Sequence, residues 1–285
     1  MLIPVKTSRE RQVTTMNSAH SSIRTTGYNA PTPYRSAMRS RRVVAAPRHE
    51  DRSISSILGK LLLIIGILAF CAVAFYVSRG YSMYSEAVEA TSVGAMAEQI
   101  EATPGYTTID KLPEKYLEAV IAVEDHRFYL HPGFDAIATG RALINDLKAG
   151  AFVEGGSTIT QQLAKNEYFT QARELDRKVA EVLLAFDIER SLSKDKILEL
   201  YVNSIYFGNG YYGIHDASVG YFGKEPSELT DYEATLLAGV PNAPSAYAPT
   251  ENPELAAERQ QQVLRQMVKY KIITAEESQE IAQAA

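Results

Sequence analysis

The sequence predicts a mainly α-helical domain carried on a single N-terminal transmembrane helix. Three observations support this class. A run of seventeen uncharged, mostly apolar residues spans Leu61–Val77, helix-start signals recur along the chain after it, and no segment alternates with the two-residue period of a strand. The 285 residues, 46% of them hydrophobic, are enough to build a hydrophobic core.

The apolar run predicts a membrane anchor over residues 57–78. With Ile57–Gly59 it supplies roughly 20 residues, the length that crosses a bilayer core of about 30 Å. About sixty residues precede the run, which argues against a cleaved signal peptide. A buried core helix is the alternative, but nothing downstream offers a matching apolar partner. The only cysteine, Cys71, lies inside the run, so no intrachain disulfide is possible.

The charge is distributed unevenly on the two sides of this anchor. Residues 1–56 carry ten Lys or Arg against three acidic residues, a net charge of +7, so the remainder carries −12 of the total of −5. Because basic segments stay on the cytoplasmic side, residues 1–56 are predicted to lie in the cytoplasm. Their composition has no hydrophobic period that could bury a face, so this tail is predicted to be disordered. The tail suits anionic membrane lipids better than nucleic acid. Residues 79–104 are predicted to be a juxtamembrane linker, and 105–285 the ordered domain.

The ordered domain is predicted to be a succession of helices. The stretch "LPEKYLEAVIAVED" places apolar residues on one helical face after Pro113, and "FDAIATGRALINDLKAG" ends at Gly150. Asn252 and Pro253 start another helix. Capping boxes mark three further helix starts, at Thr158 with Gln161, Thr230 with Glu233, and Thr274 with Glu277.

The first candidate site is "AVEDHRFYLHPGFD", in which Glu124 and Asp125 end an apolar helix and His126 and His131 follow. An apolar wall and a helix C-terminus both raise the pKa of a carboxyl group, which suits a general base. The solvated end of an ordinary helix is the alternative. The two histidines have poor spacing for a shared metal ion, and His131 is predicted to donate to a backbone carbonyl.

The second candidate site is "EGGSTITQQLAKN", from Glu154 to Asn166. Paired glycines before a helix start leave backbone amides open to an anion such as phosphate, and Lys165 lies about two turns further along. The stretch lacks the Gly-Lys-Ser/Thr of a Walker loop. A well-capped surface helix is the alternative.

The third candidate site is "RELDRKVAEVLLAFDIER", in which Arg173, Arg177 and Glu181 recur every four residues along one helix face. Two guanidinium groups above one carboxylate form a strip that suits a diphosphate. A salt-bridged helix face is the alternative. The later "SLSK" fits a Ser-x-x-Lys nucleophile, but no Lys-Thr-Gly triplet supports it, and Ser193 is predicted to be a helix N-cap instead.

In this order, the stretches resemble the five motifs of the family 51 peptidoglycan glycosyltransferases, the chain-elongating domain of class A penicillin-binding proteins and of monofunctional transglycosylases. The resemblance covers about residues 105–270. The matching stretches are "EDHRFYLHPG", "GGSTITQQLAKN", "RKVAEVLLAFDIE", "ILELYVNSIYFGNGYYGIHDASVGYFGK" and "LAGVPNAPSAYAP".

The resemblance implies a lysozyme-like fold of two lobes with the active cleft between them. It implies that lipid II is the substrate and that Glu124 is the general base for the GlcNAc 4-hydroxyl of the acceptor. That oxygen would attack C1 of the MurNAc at the reducing end of the growing chain, with inversion and release of undecaprenyl diphosphate. Glu181 would assist departure of the diphosphate, and a divalent cation, Mg or Mn with unknown ligands, is expected as cofactor. The base would be surrounded by Asp125, Phe128 and His131. The remaining substrate-binding residues would be Gly156, Ser157, Thr158, Gln161, Gln162, Lys165, Asn166, Arg173, Arg177 and Lys178.

The resemblance also implies a location in the bacterial cytoplasmic (inner) membrane, with the catalytic domain on its outer face. Expected partners are lipid II, the glycan strand, membrane lipids and cell-wall assembly proteins, and no nucleic acid. No transpeptidase is expected, because the sequence given ends at Ala285 just after the transferase motifs, unless it is a truncated bifunctional protein. A glycan-cutting lysozyme-like hydrolase and an inactive scaffold are the alternative functions.

Overall fold

The computed structural model describes residues 52–150, 155–169 and 174–284, and within these ranges the regular secondary structure is helical. A single isolated bridge joins Tyr206 and Tyr212. The predicted mainly α class is therefore confirmed. Most of the predicted tail and Arg173 lie outside the described residues.

Twelve α-helices are found in these ranges. They are α1 Arg52–Ala90, α2 Val93–Glu101, α3 Glu114–Glu124, α4 Ala136–Ala149, α5 Ile159–Tyr168, α6 Glu174–Ser191, α7 Lys194–Ser204, α8 Gly213–Phe222, α9 Asp231–Gly239, α10 Pro244–Tyr247, α11 Pro253–Lys269 and α12 Ala275–Gln283. Single turns of 3-10 helix occur at Ile109–Lys111, Phe128–Leu130, Pro226–Glu228 and Val240–Asn242.

The helix boundaries follow the capping chemistry that the sequence predicts. All three predicted capping boxes form, at Thr158, Thr230 and Thr274. Ser193 caps α7 through a side-chain hydrogen bond. At the end of α4, Gly150 adopts a left-handed conformation with φ of 64°, which glycine allows without a steric penalty.

Helix α1 contains the predicted anchor. Its segment Ser56–Ala90 is long and apolar enough to cross a membrane, and its apolar window is not buried against the rest of the protein. The helix continues well past the predicted end at residue 78 and packs onto α6. Gly80 is buried there, and Arg79 Nε lies 2.7 Å from the carboxylate of Asp176.

The structure differs from the prediction that residues 79–104 are a linker. Much of this segment is helical, and its helices pack against the folded domain. Within α2, the side chains of Val93, Met96, Ala97 and Ile100 are buried in the core. Their spacing of three and four residues places them on one helix face. Mixed composition concealed this pattern, and the folded part of the chain begins before residue 105.

The core is formed by two groups of helices that share one hydrophobic cluster. Helix α5 packs against α6 and α7, while α3 and α11 both pack against α9. Tyr116, Phe128 and Tyr201 are among the largest fully buried side chains. By contrast, α4 buries only Ala142 and exposes Ile137, Leu143, Ile144 and Leu147.

Candidate active site

A cavity of about 1030 Å³ brings the predicted site stretches together. We call it the cleft. It is lined by the end of α3, the segment before α5, α5 itself, α6 and α11. The predicted site residues that line it are Glu124, Ser157, Gln161, Gln162, Lys165 and Glu181.

Glu124 is the last residue of α3, and one of its carboxylate oxygens is held in place. Gln162 Nε2 donates to Glu124 Oε2 at 2.8 Å, and the buried Tyr201 hydroxyl donates to Gln162 Oε1 at 3.1 Å. The other oxygen, Oε1, has no hydrogen-bond partner in the described part of the chain. This oxygen is itself buried, and its lone pairs are not used by a described donor.

The surroundings of Glu124 raise the pKa of its carboxyl group. Burial raises the pKa of Glu124 above its ordinary value, while the hydrogen bond from Gln162 and the charge of Arg259 oppose that rise. A raised pKa brings a carboxylate nearer to the range in which a general base is efficient.

Asp125 points away from the cleft and organises the loop behind it. Its carboxylate lies 2.9 Å from His131 Nε2 and accepts a hydrogen bond from the backbone amide of Ile159 at 3.2 Å. The amide of Gly133 donates to His131 Nδ1 at 3.2 Å, so Nε2 carries the proton given to Asp125. The prediction that His131 donates to a backbone carbonyl is therefore wrong, since its acceptor is a carboxylate.

The two histidines of the first stretch are held by different partners. His126 lines the cleft and stacks on Tyr270 with ring centroids 4.1 Å apart. His131 is buried beside Asp125. This separation agrees with the sequence argument against a shared metal ion.

Three further predicted binding residues belong to the scaffold and do not line the cleft. Thr158 is buried and donates from Oγ1 to the carbonyl of Gly133 at 2.6 Å. The carbonyl of Gly156 accepts from the Thr139 hydroxyl at 3.1 Å. Phe128 is completely buried. The contacts of Gly156 and Thr158 hold the start of α5, which carries the cleft residues Gln161, Gln162 and Lys165.

A carboxylate between two cations lies on α6. The carboxylate of Glu181 is 2.9 Å from Arg177 Nε and 3.1 Å from Lys178 Nζ. Lys178 also donates to the Ser157 hydroxyl at 2.6 Å, which joins the second stretch to the third. Of the two arginines predicted to lie beside Glu181, Arg177 pairs with it, and Arg173 lies outside the described residues.

Asn166 lies on a different face of α5 from the cleft. It lines a second cavity with Glu167, Ser204 and Tyr206. The structure therefore does not bring Asn166 together with Lys165 and Gln162, although the three residues are near neighbours in the sequence.

One wall of the cleft was not predicted from the sequence. Helix α11 contributes a polar face, and Arg141, Asn242 and Tyr247 add to the lining; the α11 residues are Arg259, Gln262, Arg265, Gln266 and Lys269. Their spacing of three and four residues is a signal that could have identified a polar helix face, but not its position opposite Glu124.

The charge of the cleft is positive. Among the residues that the structure describes, five cationic side chains line it against two carboxylates, and the five cations are Arg141, Lys165, Arg259, Arg265 and Lys269. A wall with this charge favours an anionic substrate.

The described residues do not fit a metal ion held by the protein. They contain no cluster of three or more His, Cys, Asp or Glu side chains that could hold one, and the carboxylate of Glu181 is already paired with Arg177 and Lys178. The expected divalent cation thus has no protein-built site among the described residues, and it stays an untested prediction.

The helical fold thus carries a positively charged cleft that contains one carboxyl group of raised pKa, Glu124. A family model described as "Transglycosylase" matches residues 92–268. This match covers more than half of the chain, so the chain belongs to the transglycosylase family.

Three curated relatives have similar sequences. Penicillin-binding protein 1A of Aquifex aeolicus is 49% identical over 175 residues, 61% of this chain and 24% of that protein. Penicillin-binding protein 1F of Bacillus subtilis is 49% identical over 171 residues, 60% of this chain and 24% of that protein. Penicillin-binding protein 1A of Neisseria flavescens is 50% identical over 172 residues, 60% of this chain and 22% of that protein. The aligned segment thus spans about a quarter of the length of these relatives.

Proposed function

We propose that this chain is a peptidoglycan glycosyltransferase that polymerises lipid II into glycan strands. The observation that carries the proposal is one cavity with a cation-lined wall and the carboxylate of Glu124, whose Oε1 accepts no hydrogen bond from the described residues. Membership of the transglycosylase family and similarity to proteins named penicillin-binding protein 1A and 1F support the reaction class.

The reaction needs a base on the acceptor side. Glu124 Oε1 removes the proton from the 4-hydroxyl of the acceptor sugar, and the hydroxyl oxygen attacks C1 of the donor from the face opposite the diphosphate. The new C1–O bond forms as the bond between C1 and the diphosphate oxygen breaks, which inverts the configuration at C1. The proton remains on Glu124 until it passes to solvent.

The leaving group needs positive charge, because a diphosphate departs as an anion without being protonated. Lys165, on α5, lines the cleft about one turn beyond Gln162. Glu181 lines the same cavity and pairs with Arg177 and Lys178, two side chains that are not among the described lining residues. In this proposal these side chains bind the diphosphate, and Glu181 keeps the two α6 cations in position.

In this proposal helix α1 is a membrane anchor that holds the reaction at a bilayer. Helix α1 crosses the bilayer with residues 1–56 in the cytoplasm, because those residues carry the excess of positive charge. The folded domain then lies on the outer face of a bacterial cytoplasmic membrane, beside a lipid-linked substrate. Membrane lipids and cell-wall assembly proteins are the further partners proposed.

The test is incubation of the detergent-solubilised chain with labelled lipid II, followed by mass spectrometry of the products. Polymerisation yields longer glycan and free undecaprenyl diphosphate. Preformed glycan is incubated with the chain in a parallel sample. A hydrolase would shorten this glycan, and an inactive scaffold would leave both lipid II and the glycan unchanged. Either of these results would overturn the proposal.

A further inference from the structure

A second cavity of about 430 Å³ lies on the other side of α5 from the cleft. It is enclosed by the C-terminal ends of α2, α5 and α7 and by the loop before α8. The residues that line it are Gln99, Ile100, Thr103, Asn166, Glu167, Asn203, Ser204, Tyr206 and Tyr212. None of the predicted catalytic residues reaches it.

The lining of this cavity excludes most charged ligands. Unlike the cleft, it contains no Lys, Arg or His among the described residues, so it offers nothing to balance a phosphate. Glu167 is its only carboxylate, which is too few oxygen ligands for a typical Ca²⁺ site. The side-chain amides of Gln99 and Asn166 supply both donors and acceptors. The chemistry therefore suits a neutral ligand with many hydroxyl or amide groups.

Two tyrosines give the cavity an aromatic surface. The rings of Tyr206 and Tyr212 lie 4.8 Å apart with an interplanar angle of 39°. A backbone bridge joins the two residues, and the amide of Gly210 donates to the Tyr206 hydroxyl at 3.3 Å. Tyr212 is nevertheless 61% exposed. A fixed but exposed ring can pack against the apolar C–H face of a sugar, while its hydroxyl stays hydrated.

We propose that this second cavity is a saccharide-binding site. The ring of Tyr212 contacts the C–H face of a neutral hexosamine, and the amides of Gln99 and Asn166 and the carboxylate of Glu167 bind its hydroxyl and acetamido groups. The identity of the saccharide as part of a glycan strand rests on the proposed function. Because α5 presents Lys165 to the cleft and Asn166 to the second cavity, both sites share one helix.

The absence of tryptophan from the sequence allows a local fluorescence test. In the full-length chain, Tyr212→Trp places the only tryptophan in the second cavity and keeps an aromatic face. The protein is held in a polyoxyethylene detergent, because a glycoside detergent would compete for the site. The probe is tetra-N-acetylchitotetraose. The matched control is Tyr129→Trp, since Tyr129 is 52% exposed and lines neither cavity.

We expect a saturable change in emission for Tyr212→Trp and none for Tyr129→Trp. Adding Asn166→Ala to Tyr212→Trp should raise the dissociation constant about fivefold, the effect of losing roughly one hydrogen bond. Inorganic diphosphate should give no response. No saturable change, an equal change in the control, or an unchanged constant with Asn166→Ala would each overturn the proposal.

The result is separable from the proposed function. Lipid II polymerisation is measured on the same wild-type preparation. Saccharide binding without polymerisation would overturn the proposed function alone, whereas polymerisation without saccharide binding would overturn the second site alone.

Discussion

Gln162 Nε2 donates a hydrogen bond to Glu124 Oε2 at 2.8 Å across 38 residues of sequence. This contact joins the end of α3 to the second turn of α5. It leaves Oε1 as the carboxylate oxygen that can accept a proton. Because Tyr201 in turn donates to Gln162 from the core, the orientation of Glu124 is set by a chain of side chains that begins in a buried residue.

The first prediction concerns Gln162→Ala and the pH dependence of activity. The hydrogen bond from Gln162 stabilises the charged form of Glu124 and lowers its pKa. Its loss should raise that pKa, so that the base is deprotonated only at higher pH. We expect the acid limb of the pH profile for kcat/KM to move to higher pH. Gln266→Ala is the control, because Gln266 lines the cleft without contacting Glu124, and its profile should not move.

The second prediction concerns stability. Since burial raises the pKa of Glu124 in the folded chain, the unfolded chain releases this proton first as the pH rises above 4.5. The wild type then loses stability until the pH passes the raised pKa. Glu124→Gln removes this loss. Its melting temperature should therefore exceed that of the wild type at neutral pH, and the gap should close near pH 4. A gap that widens on acidification would contradict the assignment.

The third prediction concerns the diphosphate. Lys165→Ala removes a cation from the cleft wall, and binding of undecaprenyl diphosphate, measured as product inhibition, should weaken about tenfold. Lys115→Ala is the control, because Lys115 pairs with Glu118 at 3.1 Å and does not line the cleft. Equal inhibition of all three proteins would show that the diphosphate binds elsewhere.

The fourth prediction concerns the contact between the anchor and α6. A Cβ atom at Gly80 would lie 2.5 Å from Val179 Cβ and 2.9 Å from the carbonyl oxygen of Asp176. Gly80→Ala should therefore destabilise the domain by about 1–3 kcal/mol, the usual cost of overpacking. Gly66→Ala is the control in the same helix, because a Cβ atom at Gly66 would meet no described atom within 4 Å. Thermal unfolding of both variants in the same detergent tests the difference.

The sequence predicted those parts of the fold that depend on local chemistry. The capping boxes at Thr158, Thr230 and Thr274 formed as expected, because each needs only two residues three positions apart. The segment over 79–104 was different. Its helix α2 is stabilised by burial of residues such as Met96 against distant elements, and composition does not reveal such contacts.

The candidate site was predictable only where its residues belong to local sequence motifs. The motif stretches supplied Glu124, Lys165 and Glu181, but nothing in the local pattern places α11 opposite them. Arg259 lies 135 positions after Glu124 and reaches the cleft because α11 packs against both α3 and α9. Asn166 is the reverse case, since this sequence neighbour of Lys165 lines another cavity, and its predicted role in substrate binding stays a prediction.

The central claim is that Glu124 is the base of a glycan polymerase, and a lipid II polymerisation assay tests it most directly. Wild type and Glu124→Gln are compared in the same detergent, with lipid II binding measured on both. We predict that Glu124→Gln retains binding while polymerisation falls at least about a hundredfold, the usual contribution of a general base. Polymerisation by Glu124→Gln at a rate near that of the wild type would contradict the account.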